Sequence, residues 1–322
     1  MKKIFFIVIF MSVLTSTIGC KASETKKIKE GDLSETPVVY MTKDISPGSI
    51  IKMYELLGRE AHGKVAIKLS MGEPGGDNYL KPELINDFVH KVNGTFIDAN
   101  TAYGGKRAST EAHLQTARDH GFAAIAPVDI LDAESEVDLP VSGGTHITRD
   151  IVGKNFLDYD FTVILSHFKG HAMGGFGGAI KNMSIGIASS NGKRLIHSGG
   201  ASTTSWGSPS QEQFLETMAE AAKAIADHCG ENIIYISVMN NLSVDCDCDS
   251  NPADPQMGDI GILASLYPVA LDKACVDQVY ASEDHGKIHL IERMESMKGV
   301  HTLVHAEKIG IGTQDYKLVI ID

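Results

Sequence analysis

The sequence predicts an α/β fold: a mainly parallel sheet with helices on both faces, built as one large domain or as two joined lobes. Three observations predict it. Short apolar runs such as Phe161-Thr162-Val163-Ile164-Leu165 recur between segments whose apolar residues repeat at helical spacing. That alternation of strand and amphipathic helix is the pattern of parallel sheets. The composition, 322 residues with 43% hydrophobic and 22% charged, suits a globular chain of that size.

The first residues read as a targeting segment. Lys2 and Lys3 precede an apolar stretch over residues 4–14, and small residues lead to Cys20. The stretch is too short for a permanent membrane span. The pattern is similar to a bacterial lipobox, with Thr17 where leucine is usual, so residues 1–19 are expected to be a lipoprotein signal peptide and Cys20 the lipidated mature N-terminus. The alternative is an ordinary secretory signal cut nearby. One lipid tethers without spanning, which places the protein on a bacterial membrane, facing the periplasm or the cell exterior. Cleavage removes two lysines and takes the formal charge from −12 to −14. Without a basic stripe, that charge excludes nucleic acid as the main partner. Residues 20–36 are rich in lysine and glutamate and read as a flexible tether, leaving residues 37–322 as the folded domain.

Within the domain, residues 37–41 predict a strand. Ser46-Pro47 then caps a helix with an Ile50, Met53, Tyr54 and Leu57 stripe ending at Gly58. A strand at 64–69, a helix from Pro82, strands at 95–98 and 122–128, and a helix at 109–120 follow. The second half continues with a strand at 161–165, a helix from about 178 to 188, a helix at 211–229, strands at 232–239 and 260–265, a helix opened by Pro268, a helical region at 283–309 and a closing strand at 317–321. In such sheets ligands sit beyond the carboxyl ends of the strands, so the loops 71–79, 100–107 and 166–178 are expected along one rim.

The chemistry concentrates in the last of these loops. Ser166-His167-Phe168-Lys169-Gly170-His171 runs into Gly174-Gly175-Phe176-Gly177-Gly178-Ala179-Ile180-Lys181-Asn182, two histidines and two lysines among five glycines. Glycines admit close backbone approach, and a following helix N-terminus offers free N–H groups. His171 is a candidate for a functional role, and His167 a second; the alternative for both is a hydrogen-bonded structural histidine. Val65-Ala66-Ile67-Lys68 mimics the kinase strand motif, but no His-Arg-Asp or Asp-Phe-Gly follows. Lys68 is therefore a candidate anion ligand at a strand end, or a solvated lysine. A second constellation is Asp245-Cys246-Asp247-Cys248-Asp249. Three aspartates should raise the thiol pKa values, and a cation would offset that, which suggests a metal ion or an iron–sulfur cluster on Cys246 and Cys248. Disulfides to Cys229 or Cys275 are the alternative in an exported protein. His197 closes a glycine-bounded polar stretch, 192–200, read as a loop.

The 166–182 stretch, the Cys246-Asp247-Cys248 loop, Asp259-Ile260-Gly261-Ile262-Leu263-Ala264-Ser265 and Pro268-Val269-Ala270-Leu271-Asp272 together resemble domain-of-unknown-function family 362 (DUF362), over residues 38–308. Tyr267 stands where that family commonly has aspartate. Many members carry a ferredoxin-type cluster domain and are described as iron–sulfur-centre proteins; this chain has no Cys-x-x-Cys-x-x-Cys run, so only the Cys-x-Cys loop is comparable. His171, Lys181 ten residues on and His197 sixteen further are also similar to the amino-terminal domain of nickel-pincer lactate racemases. That resemblance implies His171 as acid/base, Lys181 as the covalent cofactor anchor and His197 as a metal ligand. The family's second catalytic histidine falls in a loop matched here by Gly104-Gly105-Lys106-Arg107, where lysine replaces it.

These readings converge on an exported lipoprotein with a metal or iron–sulfur site, acting as an enzyme on a small anionic substrate such as a hydroxy acid. His171 and Lys181 are the expected catalytic residues. Lys68, Lys106, Arg107 and Lys169 are the expected substrate ligands, and His197, Cys246, Cys248 and His167 the expected metal ligands. The competing expectation is a non-catalytic periplasmic ligand-binding or metal-delivery lipoprotein.

Overall fold

The computed structural model describes residues 36–321; the expected signal peptide, the lipidation site Cys20 and nearly all of the expected tether lie outside them. From Thr36 on, the chain forms one unit. In chain order its elements are β1 (Val38–Thr42), α1 (Pro47–Leu56), β2 (Val65–Lys68), α2 (Pro82–Val92), β3 (Gly94–Asp98), α3 (Thr110–Asp119), α4 (Phe122–Ile125) and β4 (Val128–Ile130). Then come β5 (Glu136–Pro140), β6 (Arg149–Gly153), β7 (Phe161–His167), β8 (Lys169–His171), β9 (Gly175–Gly177), α5 (Ala179–Ile187), α6 (Ser190–His197) and α7 (Gln211–Cys229). The chain ends with β10 (Ile233–Met239), β11 (Gly261–Ser265), α8 (Pro268–Ala281), α9 (Lys287–Ser296), α10 (His301–Lys308) and β12 (Lys317–Ile320).

Eight strands form the main sheet in the order β12-β1-β11-β10-β7-β2-β3-β4. Every pairing is parallel except the two made by β11. Central strands of a parallel sheet are buried on both faces and so read as continuous apolar runs. Accordingly β7 and β10 are buried along their whole lengths. Alternate residues feed opposite layers: Tyr235 and Met239 of β10 pack with α5, α7 and α8, while Ile234, Ile236 and Val238 pack with α1 and α2. Among the described residues no helix is long and apolar enough to cross a membrane.

The structure departs from the sequence reading in four places. Residues 122–125 form α4 rather than a strand, because Gly121 enters with φ of +86° and Phe122 anchors the turn in the core. The 166–178 loop folds as a hairpin, β8 pairing β9 with His171 opposite Gly175. The 192–200 stretch is the end of α6, capped by Ser189, whose hydroxyl accepts the Gly192 N–H at 3.1 Å. Gly192 is there for contact rather than for a turn: a Cβ would collide with the Ile151 carbonyl. The 283–309 region breaks into α9 and α10, and Lys298, at φ of +53°, lies between them.

The chain leaves β4 to build the β5–β6 hairpin before returning to the sheet at β7, beside β2. From β2 it has spread outward one way, and from β7 it continues the other way through β10. The carboxyl ends of β2 and β7 therefore border a topological switch point, where a crevice opens.

Candidate functional site

Asn182, on the first turns of α5, bridges that crevice. Its Nδ2 lies 3.1 Å from the carbonyls of Lys68 and Leu165 and from Ser166 Oγ, and its Oδ1 accepts from Lys68 Nζ at 3.1 Å. The helix N-terminus is fixed by the α8 carboxylate Asp272, which accepts the N–H groups of Ala179 at 2.7 Å and Ile180 at 3.0 Å. Burial pushes the Asp272 carboxyl up to about 7 despite those two donors. Gly186, two turns on, leaves the room Lys68 needs: a Cβ there would sit 2.5 Å from Lys68 Nζ.

Most cations of the rim are matched. Lys68 spends its three N–H bonds on Asp98 at 3.2 Å, the Leu69 carbonyl at 3.0 Å and Asn182. Arg107 pairs with Glu73 at 2.6 Å and Asp98 at 3.5 Å, and donates to Tyr103 Oη at 3.1 Å. Asp98 is buried, which would raise its pKa, but Lys68, His113 and Arg107 outweigh burial and hold it far below the carboxylate range. Lys169 and His167 share the buried carboxylate of Asp247. The other His167 nitrogen lies 2.6 Å from the Asn240 carbonyl, so both ring nitrogens face oxygen acceptors and neither lone pair is free for a metal. Lys106 is exposed on the loop after β3.

At the centre, Lys181 Nζ lies 3.8 Å from Cys246 Sγ, which also accepts the Cys248 N–H at 3.4 Å. The hydrogen bond from Cys248 and then Lys181 and Lys169 hold the Cys246 thiol well below its ordinary pKa, and the Cys248 thiol is correspondingly raised, so the pair carries one thiolate. Burial opposes charge on Lys181, but the two cysteines and Asp247 keep its pKa above the usual lysine value. The expectation that the aspartates would raise Cys246 is overturned. Asp247 is neutralised by Lys169 and His167, Asp245 pairs with Arg293 at 3.1 Å, and Asp249 accepts the Asn251 N–H at the surface. Cys229, Cys246, Cys248 and Cys275 are all free thiols.

His171, at the end of β8, completes the group: a ligand atom from His171, Cys246 and Cys248 can be chosen so that all lie within 4.8 Å of one another. Its Nδ1 accepts the N–H groups of Gly174 at 2.8 Å and Met173 at 3.2 Å, so the neutral ring carries its proton on Nε2. Burial, then Lys181 and His197, push its pKa well below the ordinary histidine value. His197 has the opposite tautomer. Its Nδ1–H donates to the Lys193 carbonyl at 2.7 Å, leaving Nε2 with a free lone pair, and the ring sits between Trp206 and Phe214. Burial lowers its pKa to about 4.

Two cavities meet at this trio. The outer, about 460 Å³, is lined by Glu73, Tyr103, Lys106, Asp245 and Asp249. The inner, about 120 Å³, is lined by Lys68, Asp98, Arg107, Lys169, Lys181, Lys193 and His197. Tyr103, His171, Cys246 and Cys248 line both. The structure thus brings Lys68, Arg107, His167, Lys169, His171, Lys181, His197, Cys246 and Cys248 around one crevice, with Lys106 at its mouth.

The family model for a domain of unknown function, DUF362, matches residues 65–277, which span every one of these side chains. The chain belongs to the DUF362 family. No curated protein matches it. Among solved structures, this DUF362 chain is similar to the lactate racemase apoprotein from Thermoanaerobacterium thermosaccharolyticum, at 17% identity over 62% of this chain and 50% of that one, with a TM-score of 0.38. It is also similar to a protein from Thermotoga maritima, at 11% identity over 73% of this chain and 58% of that one, with a TM-score of 0.42. The chain spans about half the length of the racemase it matches.

Sequence reasoning missed Asp98, Glu73, Asn182, Asp272 and Lys193. Asp98 had a signal, an acid at the carboxyl end of a strand beside Lys68. Lys193 lay one helical turn before His197, hidden by the loop reading of that stretch.

Proposed function

We propose that this DUF362 protein holds a transition-metal ion, or a cofactor carrying one, on Cys246 and Cys248, and acts on a small anion in the inner cavity. The observation that supports this most is the pairing of a stabilised thiolate with a second thiol and an imidazole where the two cavities meet. Two sulfurs and an imidazole are a soft donor set that suits zinc, nickel, iron or copper and not magnesium or calcium. Cys229 and Cys275 line neither cavity, so among the described residues a four-cysteine cluster has too few ligands and a single ion fits better.

His171 is the imidazole within reach of both sulfurs, and in its present tautomer it offers an N–H that suits proton transfer; His197, on the wall of the inner cavity, offers a free lone pair and is the proposed further ligand on that side. To ligate a metal itself, His171 would have to release that proton or its two backbone donors. A bound ion would supply Lewis acidity beside the sulfurs. The chain's own residues supply the rest: Lys181 stabilises the thiolate, and a cation-rich chamber attracts an anion. In the proposed setting Cys20 is lipidated and the domain faces the periplasm or the cell exterior.

Metal analysis of protein made in the periplasm, and anaerobically in the cytosol, tests the reading. Wild type should hold roughly one ion per chain, and Cys246→Ser and His197→Ala should lose it. Metal-free wild type in every preparation would overturn the proposal. Metal without turnover of any small hydroxy acid would favour a binding or delivery role.

A further inference from the structure

We infer that Lys193, with Lys181, is the cation pair that receives the substrate's carboxylate in the inner cavity. This rests on the reading of that cavity as a small-anion site and reassigns the anion contacts from Lys68, Arg107 and Lys169. The reassignment follows from which charges are already matched. Lys68 has no N–H left, since Asp98, the Leu69 carbonyl and Asn182 take all three. Arg107 is held by Glu73, Asp98 and Tyr103. Lys169 is paired with Asp247. Lys181 faces the Cys246 thiolate through one long contact, at 3.8 Å, which leaves N–H bonds unspent.

Lys193 is the odd one out. It is 7% exposed, it lines the inner cavity, and its ammonium donates only to the carbonyls of Ala188 at 2.6 Å and Ala99 at 3.3 Å. Carbonyl dipoles solvate a cation without neutralising it, and a buried charge without a counter-charge is costly. Among the described residues no carboxylate lies within ion-pair distance of it, and one of its three N–H bonds is unspent. An anion in the chamber would satisfy both needs. The chamber, about 120 Å³, is well under the roughly 300 Å³ at which pockets take drug-sized ligands, which points to a short-chain acid. Lys193 and His197 stand one turn apart on α6, so the helix presents a cation and a free imidazole nitrogen to the same chamber. The competing role for Lys193 is a strut tying the end of α5 to the end of β3.

The test titrates the full chain with L-lactate and, separately, with inorganic phosphate at constant ionic strength, with metal content measured on the same samples. Lys193→Met should weaken lactate binding at least about tenfold, while Lys193→Arg keeps it within about threefold and the variant of the exposed Lys43, Lys43→Met, leaves it unchanged. Lactate binding to Lys193→Met as tight as to wild type overturns the inference, and so does phosphate binding in place of lactate. Should Lys193→Met not fold, wild type decides by mass-spectrometric acetylation: bound lactate should protect Lys193 and Lys181, and reactivity unchanged by bound lactate overturns the assignment. Lactate binding by metal-free wild type would sink the metal reading and leave this one standing; metal-loaded wild type that binds no lactate would do the reverse.

Discussion

Replacing Asp247 by asparagine should be the most damaging single-atom change in the site. The side chain is buried, and it answers two partners, the Lys169 ammonium and the His167 ring, which are themselves buried. Asparagine keeps the shape and one acceptor but leaves the Lys169 ammonium without its counter-charge. Breaking a buried pair from one side costs about 3–5 kcal/mol, far more than the pair's net worth, because a lone charge remains. At about 2–3 °C per kcal/mol for a domain of this size, Tm should fall by about 6–15 °C. Asp249 is the internal control: two residues away and exposed, it accepts only the Asn251 N–H, so Asp249→Asn should change stability by less than about 0.5 kcal/mol. Urea unfolding in the presence of a chelator measures both without a contribution from metal. An Asp247→Asn variant within about 1 kcal/mol of wild type would refute the charge accounting on which the site description stands.

Three further predictions concern reactivity, acid stability and turnover. Iodoacetamide at about pH 6 should alkylate Cys246 ahead of Cys229 and Cys275, and Lys181→Met should shift the midpoint of that reaction to higher pH, as read by mass spectrometry. Glu220 is buried, which would raise its pKa, but His305 and the N–H groups of residues 145–147 hold it at about 2, below an ordinary 4.5. A depressed carboxyl stabilises the fold above its unfolded pKa, so this contribution should disappear as pH falls from about 4.5 to about 2; Glu220→Gln should flatten the fall in urea midpoint over that window. His171→Ala should lower turnover by about 10²–10⁴-fold with Tm nearly unchanged, and retained activity would remove the ring from proton transfer.

The strands were legible because two-sided burial writes itself as unbroken apolar runs, as in β7 and β10, and α1 was legible from its Ser46-Pro47 cap. Local rules failed where a tertiary contact decided the conformation. Gly192 reads as a loop residue but is the close contact of a helix with Ile151, and Phe122 reads as a strand residue but anchors a single helical turn. For the site, the 166–182 stretch announced its chemistry through composition. What it could not announce was pairing across the chain. Lys181 meets Cys246 from 65 residues away, and Asp247 meets Lys169 from 78. Five residues of alternating aspartate and cysteine look equally acidic on paper, yet one carboxylate is buried against two partners, one pairs with Arg293 and one is at the surface. Those partners reverse the electrostatics that composition suggests for Cys246.

The central claim is that the two cysteines hold a metal, and X-ray absorption at the metal edge addresses it most directly. Two sulfur scatterers are expected, at about 2.3 Å if the ion is zinc, with nitrogen completing the shell, and Cys246→Ser should remove them. A shell of nitrogen and oxygen alone, unaltered by that substitution, would contradict it.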